Sequence, residues 1–292
     1  MKVNVCIASR GRYERLADTI ARVLSNSVLP DTQVSIALDD DDPSPLPRGT
    51  IGGTIAPDLM RRYSYSIAPR EDSLGAKYNR AAELYDADLY VLWSDDVYIP
   101  TGRWDEILAD YAVKFEDGMG VVYFGKLEGV FQPGIAVTRG FIDRMGFFCT
   151  PYFPFWWHDT WIDEIARMSG RIIHAPVDCT QLSELKGQSR GVREIAWWAA
   201  FFEATRPMRR KVAEGIIEAG SDQPYRKLQL RQQLSGMEKL LVQRNSGLLD
   251  PQRAAQLESF YSFDAPADER YQRVKAKAQA MLDEIKGVQA AA

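Results

Sequence analysis

The chain has 292 residues, with 36 Lys+Arg against 40 Asp+Glu for a formal charge of −4, and is 46% hydrophobic and 26% charged. That balance excludes a disordered or fibrous chain and describes a globular protein. No apolar run approaches the roughly 18 residues that a membrane helix needs.

Cys6, Cys149 and Cys179 are widely spaced and form no metal-type pair, so they read as buried thiols in a reducing compartment. The strand-like MKVNVCIAS at the start carries no apolar export segment. The expectation is a cytoplasmic protein. Charge is uneven along the chain: residues 186–244 hold 12 Lys/Arg against 6 Asp/Glu, a net of +6, while residues 1–185 carry a net of −9 and residues 245–292 a net of −1. Two regions with different tasks are implied.

In chain order, Val3 to Ala8 reads as a strand ended by Ser9-Arg10-Gly11-Arg12, and Glu14 to Ser25 as a helix with Leu16, Ile20, Val23 and Leu24 on one face. Val34 to Leu38 is a second strand, stopped by Asp39-Asp40-Asp41-Asp42. Ser64 to Ala68 is a third. Gly75 to Tyr85 is a helix, and Leu89 to Trp93 a buried strand ending at Ser94-Asp95-Asp96. A helix over 104–115, strands over 121–124 and 135–138, a helix over 159–168 and a strand over 171–175 complete the alternation. After about residue 186 only helices follow, over 193–205, 209–219, 225–244, 251–261 and 267–288. The expected fold class is α/β, a Rossmann-like, mostly parallel sheet with helices on both faces and a C-terminal helical appendage. The expected division is residues 1–185 as the α/β domain that holds the sheet and 186–292 as a helical region, basic over 186–244.

Ligands of such sheets bind beyond the carboxyl ends of the strands. The polar clusters Ser9–Arg12, Asp39–Asp42, Ser94–Asp96 and His158-Asp159 stand at or near such ends. Adjacent Asp95 and Asp96 point different ways, so one can meet a divalent cation while the other orients a hydroxyl; the bland alternative is a charged turn. Ser9, Arg10 and Arg12 offer amides and guanidinium forks to a diphosphate before a helix, and Arg70, Lys77 and Asn79 add donors. Six of the ten residues Tyr152–Trp161 are aromatic. Trp93, Trp156, Trp157 and His158 are therefore candidates for sugar or acceptor stacking. Asp159 is a candidate general base, or a helix cap.

Taken in order, SRGR after the first strand, an acidic end to the second, GAKYNRA, WSDDV and an aromatic run into HDTWID resemble a GT-A glycosyltransferase of the family 2-like type, over roughly residues 1–185. The resemblance implies transfer of a sugar, inverting by default, from a nucleoside-diphosphate sugar such as a UDP-sugar to an acceptor hydroxyl. By it, Asp95 and Asp96 correspond to the DxD pair that holds Mn²⁺ or Mg²⁺, Asp39 to a nucleoside contact, and Asp159 to the base. The sequence departs from the pattern at His158 and Trp161, where acids are usual, and His174 comes earlier than the family's late histidine ligand.

Other classes remain open. A nucleotidyltransferase would share the sheet and the metal carboxylates. A nucleic-acid-binding protein would use the basic helices, with Trp197, Trp198 and Tyr225 among Arg190, Arg193, Arg209, Arg210 and Lys211. The two ideas combine in a DNA-modifying glycosyltransferase acting on a flipped, hydroxylated base. Arg209, Arg210 and Lys211 are the candidate polyanion contacts. The acceptor, DNA or saccharide, stays open.

Overall fold

A computed structural model describes residues 1–42, 59–95, 97–125, 134–181, 193–261 and 268–291. Strand β1 (Val3–Ala8) is followed by α1 (Tyr13–Ser25), β2 (Thr32–Asp39), a 3₁₀ turn (Leu59–Arg62), β3 (Tyr63–Ala68) and α2 (Leu74–Ala82). Then come β4 (Leu89–Trp93), β5 (Val97–Tyr98), α3 (Trp104–Ala112), β6 (Val121–Phe124), β7 (Gly134–Thr138) and α4 (Arg139–Met145). The remaining elements are α5 (His158–Ser169), β8 (Ile172–His174), β9 (Thr180–Gln181), α6 (Ile195–Ala204), α7 (Arg206–Ala219), α8 (Pro224–Leu249), α9 (Pro251–Tyr261) and α10 (Glu269–Ala291).

Seven strands form one sheet in the order β3-β2-β1-β4-β7-β6-β8, and β5 and β9 make a separate antiparallel pair. Only β7 runs against its neighbours in the large sheet. The central strands VNVCIA and LYVLW are buried on both faces, and apolar apart from Asn4, because helices cover both sides of a parallel sheet. Leu16, Ile20, Val23 and Leu24 of α1 are fully buried against this sheet, as their helical spacing requires. The β5–β9 pair and the short helix α4 are elements that the sequence pattern did not predict. Both are too short to show a period. Among the described residues no helix is long and apolar enough to cross a membrane.

The expected boundary between 185 and 186 lies outside the described residues. Contacts gather into two units whose segments interleave along the chain. The first comprises Met1–Glu71, Ala76–Phe148 and Arg171–Ser189 and contains the sheet. The second comprises Asp72–Gly75, Cys149–Gly170 and Arg190–Ala292. Residues 149–170 thus pack with the C-terminal helices. The reason is aromatic: Phe153 sits among the rings of Trp157, Trp161, Trp198, Phe201 and Phe202, at centroid distances of 5.3 to 6.3 Å.

Within the first unit, buried Asp105 on α3 fixes the turn that leads into β2. Its carboxylate accepts from the amide of Val28 at 3.0 Å, the amide of Leu29 at 2.9 Å and the Thr32 hydroxyl at 2.6 Å. Removing it strands the buried Thr32 hydroxyl and leaves two part-buried amides without their acceptor. Asp105→Ala should lower the unfolding free energy by about 3 kcal/mol, read as a shifted urea midpoint with an unchanged slope.

Candidate functional site

In the first unit, the parallel register of β2, β1 and β4 brings their carboxyl ends side by side. Asp39 closes β2 and is almost wholly buried. Lys77 Nζ lies 2.8 Å from its Oδ1, Arg10 Nη1 3.1 Å from its Oδ2, and Arg70 Nε 3.9 Å from Oδ2. Lys77 also donates to the Ser9 carbonyl at 2.7 Å, tying α2 to the end of β1. Burial lowers the Lys77 pKa from its ordinary value, and the hydrogen bond it donates to Asp39 opposes that shift. Arg10 reaches on to Asp41, donating from Nη1 at 2.5 Å to its carboxylate and from Nη2 at 3.1 Å to its carbonyl.

The loop after β1 is shaped by Gly11, whose φ of 70° suits a residue without Cβ. Its amide donates to Asp42 Oδ2 at 2.9 Å. Asp42 also accepts from Tyr13, and burial is the main reason the Tyr13 pKa is raised far above the usual phenol range. After β4, Asp95 accepts from the Ser9 hydroxyl at 2.6 Å on Oδ2 and pairs with Arg12 Nη1 at 3.1 Å on Oδ1. The Asp95 carbonyl accepts from Thr19 of α1 at 3.1 Å. Seven predicted residues, Ser9, Arg10, Arg12, Asp39, Arg70, Lys77 and Asp95, therefore meet in one unit around two buried carboxylates. Asp96 lies outside the described residues.

Two predicted members of this set do not join it. Asn79 lies two residues beyond Lys77, and such a pair does not share a helix face. It lines a separate cavity of about 460 Å³ with Glu83, Tyr90, Arg139 and Asp143, toward the beginning of β4. Trp93 is not a stacking platform. Only 1% of it is exposed, its ring stacks on Phe124 at 5.6 Å, and its Nε1 donates to the Val97 carbonyl at 3.1 Å. A residue the pattern missed is Arg80, one turn after Lys77. It binds Glu71, donates to the Leu38 carbonyl at 2.9 Å and to Ser66, and so holds the ends of β2 and β3 together. Its i,i+3 spacing from Lys77 was the available signal.

In the second unit, α5 begins at His158. Trp156 and Trp157 just before it both adopt left-handed φ values, 54° and 57°. For bulky residues this costs about 1–3 kcal/mol each. Trp157 is buried, which removes it as a stacking surface; Trp156 is half-buried and tilts against it. His158 has its pKa lowered by burial, against the pull of Asp159. Asp159 Oδ1 accepts from the Thr160 amide at 2.7 Å, which orients the carboxylate in the first turn of α5.

Further along α5, Glu164 is completely buried. Arg209 Nε donates to it at 2.7 Å, Arg206 Nη1 at 3.1 Å and Asn245 Nδ2 at 2.6 Å. Arg209 also lies over the Phe202 ring at 3.7 Å, and burial pulls its pKa down to about 10. It is a core residue and not a polyanion contact. Charge counting along the sequence cannot see this pairing. Arg210 is held by Glu214 and Glu238, both at 2.9 Å, while Lys211 is exposed. Trp198 is fully buried and donates to the Tyr271 hydroxyl at 3.1 Å.

No protein-family model matches the chain, and no curated protein matches it. Solved structures do. Residues 1–349 of S. aureus TarS in complex with UDP-GlcNAc align with a TM-score of 0.53 at 12% identity, covering 88% of this chain and 78% of that one. The mannosyltransferase PcManGT from Pyrobaculum calidifontis, in complex with GDP-Man and Mn²⁺, aligns at 0.50 and 15% identity over 96% and 80%. The chain has a GT-A-like fold. A longer S. aureus TarS structure aligns at 0.52 and 12% identity over 98% of this chain, which spans about half (53%) of that protein.

A GT-A-like frame raises the question of a divalent cation, and Asp95 answers for its own part. Both its oxygens are engaged, one by a guanidinium. A like charge about 4 Å away costs about 4 kcal/mol per unit charge at an effective dielectric constant of about 20. Asp95 therefore does not fit a divalent cation while Arg12 stays on it. Among the described residues no three His, Cys, Asp or Glu side chains gather as a metal site.

Glu164→Ala should leave Arg209 as an uncompensated buried charge, while Arg206 keeps its pairing with Glu203, and lower stability by about 3 kcal/mol. Guanidinium denaturation checks this. Exposed Lys211→Ala should leave the same midpoint in place.

Proposed function

We propose that this protein is a glycosyltransferase that moves a sugar from a nucleoside-diphosphate sugar, a UDP-sugar being the first to test, onto an acceptor hydroxyl. The observation that carries the reading is the cluster of Arg10, Arg12, Arg70 and Lys77 at the carboxyl ends of β1 and β2 and beside the end of β4, set in a GT-A-like fold. Helix-facing loops at that edge are where a parallel sheet takes nucleotides. Guanidinium forks match phosphate oxygens two at a time. Asp39, buried under three cations, serves the donor by holding Arg10, Arg70 and Lys77 in place. PcManGT binds GDP-Man and TarS binds UDP-GlcNAc, which supports a donor of that chemical class.

In this proposal the acceptor oxygen attacks the anomeric carbon as Asp159 removes its proton. A new C–O bond forms, the bond from the anomeric carbon to the diphosphate oxygen breaks, and the nucleoside diphosphate leaves with the electron pair. Inversion follows from a single displacement. The cationic cluster offsets the charge that grows on the leaving group. Burial lowers the pKa of the neighbouring His158, which favours its neutral form at the start of α5. Mn²⁺ or Mg²⁺, when bound, would be held by Asp96 and would supply further positive charge at the diphosphate; Asp95 would join only as Arg12 leaves it. Trp156 is the aromatic surface proposed for the acceptor. A saccharide suits that surface, and a DNA acceptor loses support because Arg209 is committed to Glu164. The buried free thiols Cys6, Cys149 and Cys179 support the cytoplasmic location expected from the sequence.

Calorimetric titration with a panel of UDP- and GDP-sugars tests the donor class. One of them should bind and the corresponding monophosphate sugars should not. A chain that binds no nucleotide sugar is not a glycosyltransferase of this kind. Asp159→Asn should keep donor affinity and lower sugar transfer by about 10²-fold or more, measured at saturating donor. Equal transfer by the variant would remove Asp159 from the reaction.

A further inference from the structure

The pairing of Arg12 with Asp95 bears on how the diphosphate is neutralised. Asp95 is buried, and its two oxygens are taken by Ser9 and Arg12, at 2.6 and 3.1 Å. The turn that carries it is itself fixed, since Thr19 of α1 donates to the Asp95 carbonyl. Arg12 stands immediately before α1, at the end of the helix where backbone amides favour an anion. Its side chain pairs inward with Asp95 and is still 21% exposed. A guanidinium has five N–H donors in a planar fork and stays charged at every working pH. Arg10, two residues earlier, is arranged the same way: it pairs inward with Asp39 and remains 25% exposed.

We propose that Arg12 is the resident counter-ion of Asp95 and binds the donor diphosphate in the position where a divalent cation would otherwise bridge that carboxylate and the phosphates. Nucleoside-diphosphate binding by this chain then does not require a divalent metal, although one held by Asp96 would still add positive charge at the diphosphate. Arg12 and a divalent cation compete for Asp95. The inference rests on the nucleotide-sugar reading, and it concerns Asp95 alone; Asp96 is not needed for it.

The test is titration of the full chain with UDP and with GDP, in EDTA and in Mn²⁺, for wild type, Arg12→Ala and Arg12→Lys. Wild type should bind one of the two in EDTA, with Mn²⁺ changing the dissociation constant by no more than about threefold. Arg12→Ala should lose about tenfold or more in EDTA, the scale of one charge-assisted hydrogen bond, and Mn²⁺ should restore most of the loss because Asp95 is vacated. Arg12→Lys keeps the charge that Asp95 needs for folding but not the fork. It should fall between the two, and it carries the test if the alanine variant does not fold. A second readout is Mn²⁺ itself, followed by electron paramagnetic resonance without nucleotide: the alanine variant should take up Mn²⁺ about tenfold more tightly than wild type. Wild type that binds nucleotide only with Mn²⁺ overturns the inference, as do position-12 variants that bind in EDTA as wild type does. No binding of either nucleotide in any condition overturns the donor reading beneath it, and this inference with it.

Discussion

Burying a carboxylate at the end of a strand commits the surrounding chain to supplying positive charge. Asp39 and Asp95 are both removed from water, and an isolated buried carboxylate is far too costly to persist as an ion. Neutralising them draws in Lys77 from α2, Arg70 from the segment after β3, and Arg10 and Arg12 from the loop after β1. Three separate stretches of sequence are thereby fixed to one edge of the sheet. The arrangement places the cations by giving each a buried partner, so little ordering is left for a bound anion to impose.

The second unit uses the same device for a different end. Glu164 is as buried as Asp39, yet among its partners Arg206, Arg209 and Asn245 the central one, Arg209, lies against the rings of Trp161 and Phe202. The network binds α5 to α7 and α8, and so sets the helix whose first turn carries Asp159. Two buried carboxylates with similar partners thus have different consequences, decided by what lies beyond the cations.

Much of the sheet was legible because parallel strands buried on both faces are near-continuous apolar runs, as LYVLW is and as VNVCIA is apart from Asn4. The strand-end residues followed from the same logic, and the register of β1, β2 and β4 brings Ser9, Asp39 and Asp95 into one cluster. What the sequence could not convey was side-chain direction. Trp93 ends a strand whose next residues are polar, but its ring turns inward onto Phe124. Asn79 and Lys77 share a motif yet not a helix face. Arg209 sits in a run of three basic residues, Arg209-Arg210-Lys211, of which the first is core and the last is solvated. Local charge was visible; its partner, 45 residues away in Glu164, was not.

The left-handed pair Trp156-Trp157 has a bearing on any effort to engineer this protein. Glycine adopts that backbone without penalty, so at either position it would relieve strain while deleting a ring. Where a protein holds costly geometry beside its working groups, selection for robustness and selection for turnover pull in opposite directions. In the proposed reading, where Trp156 meets the acceptor, a search for heat-resistant variants would be drawn to position 156, and would return chains that melt later and handle that acceptor worse.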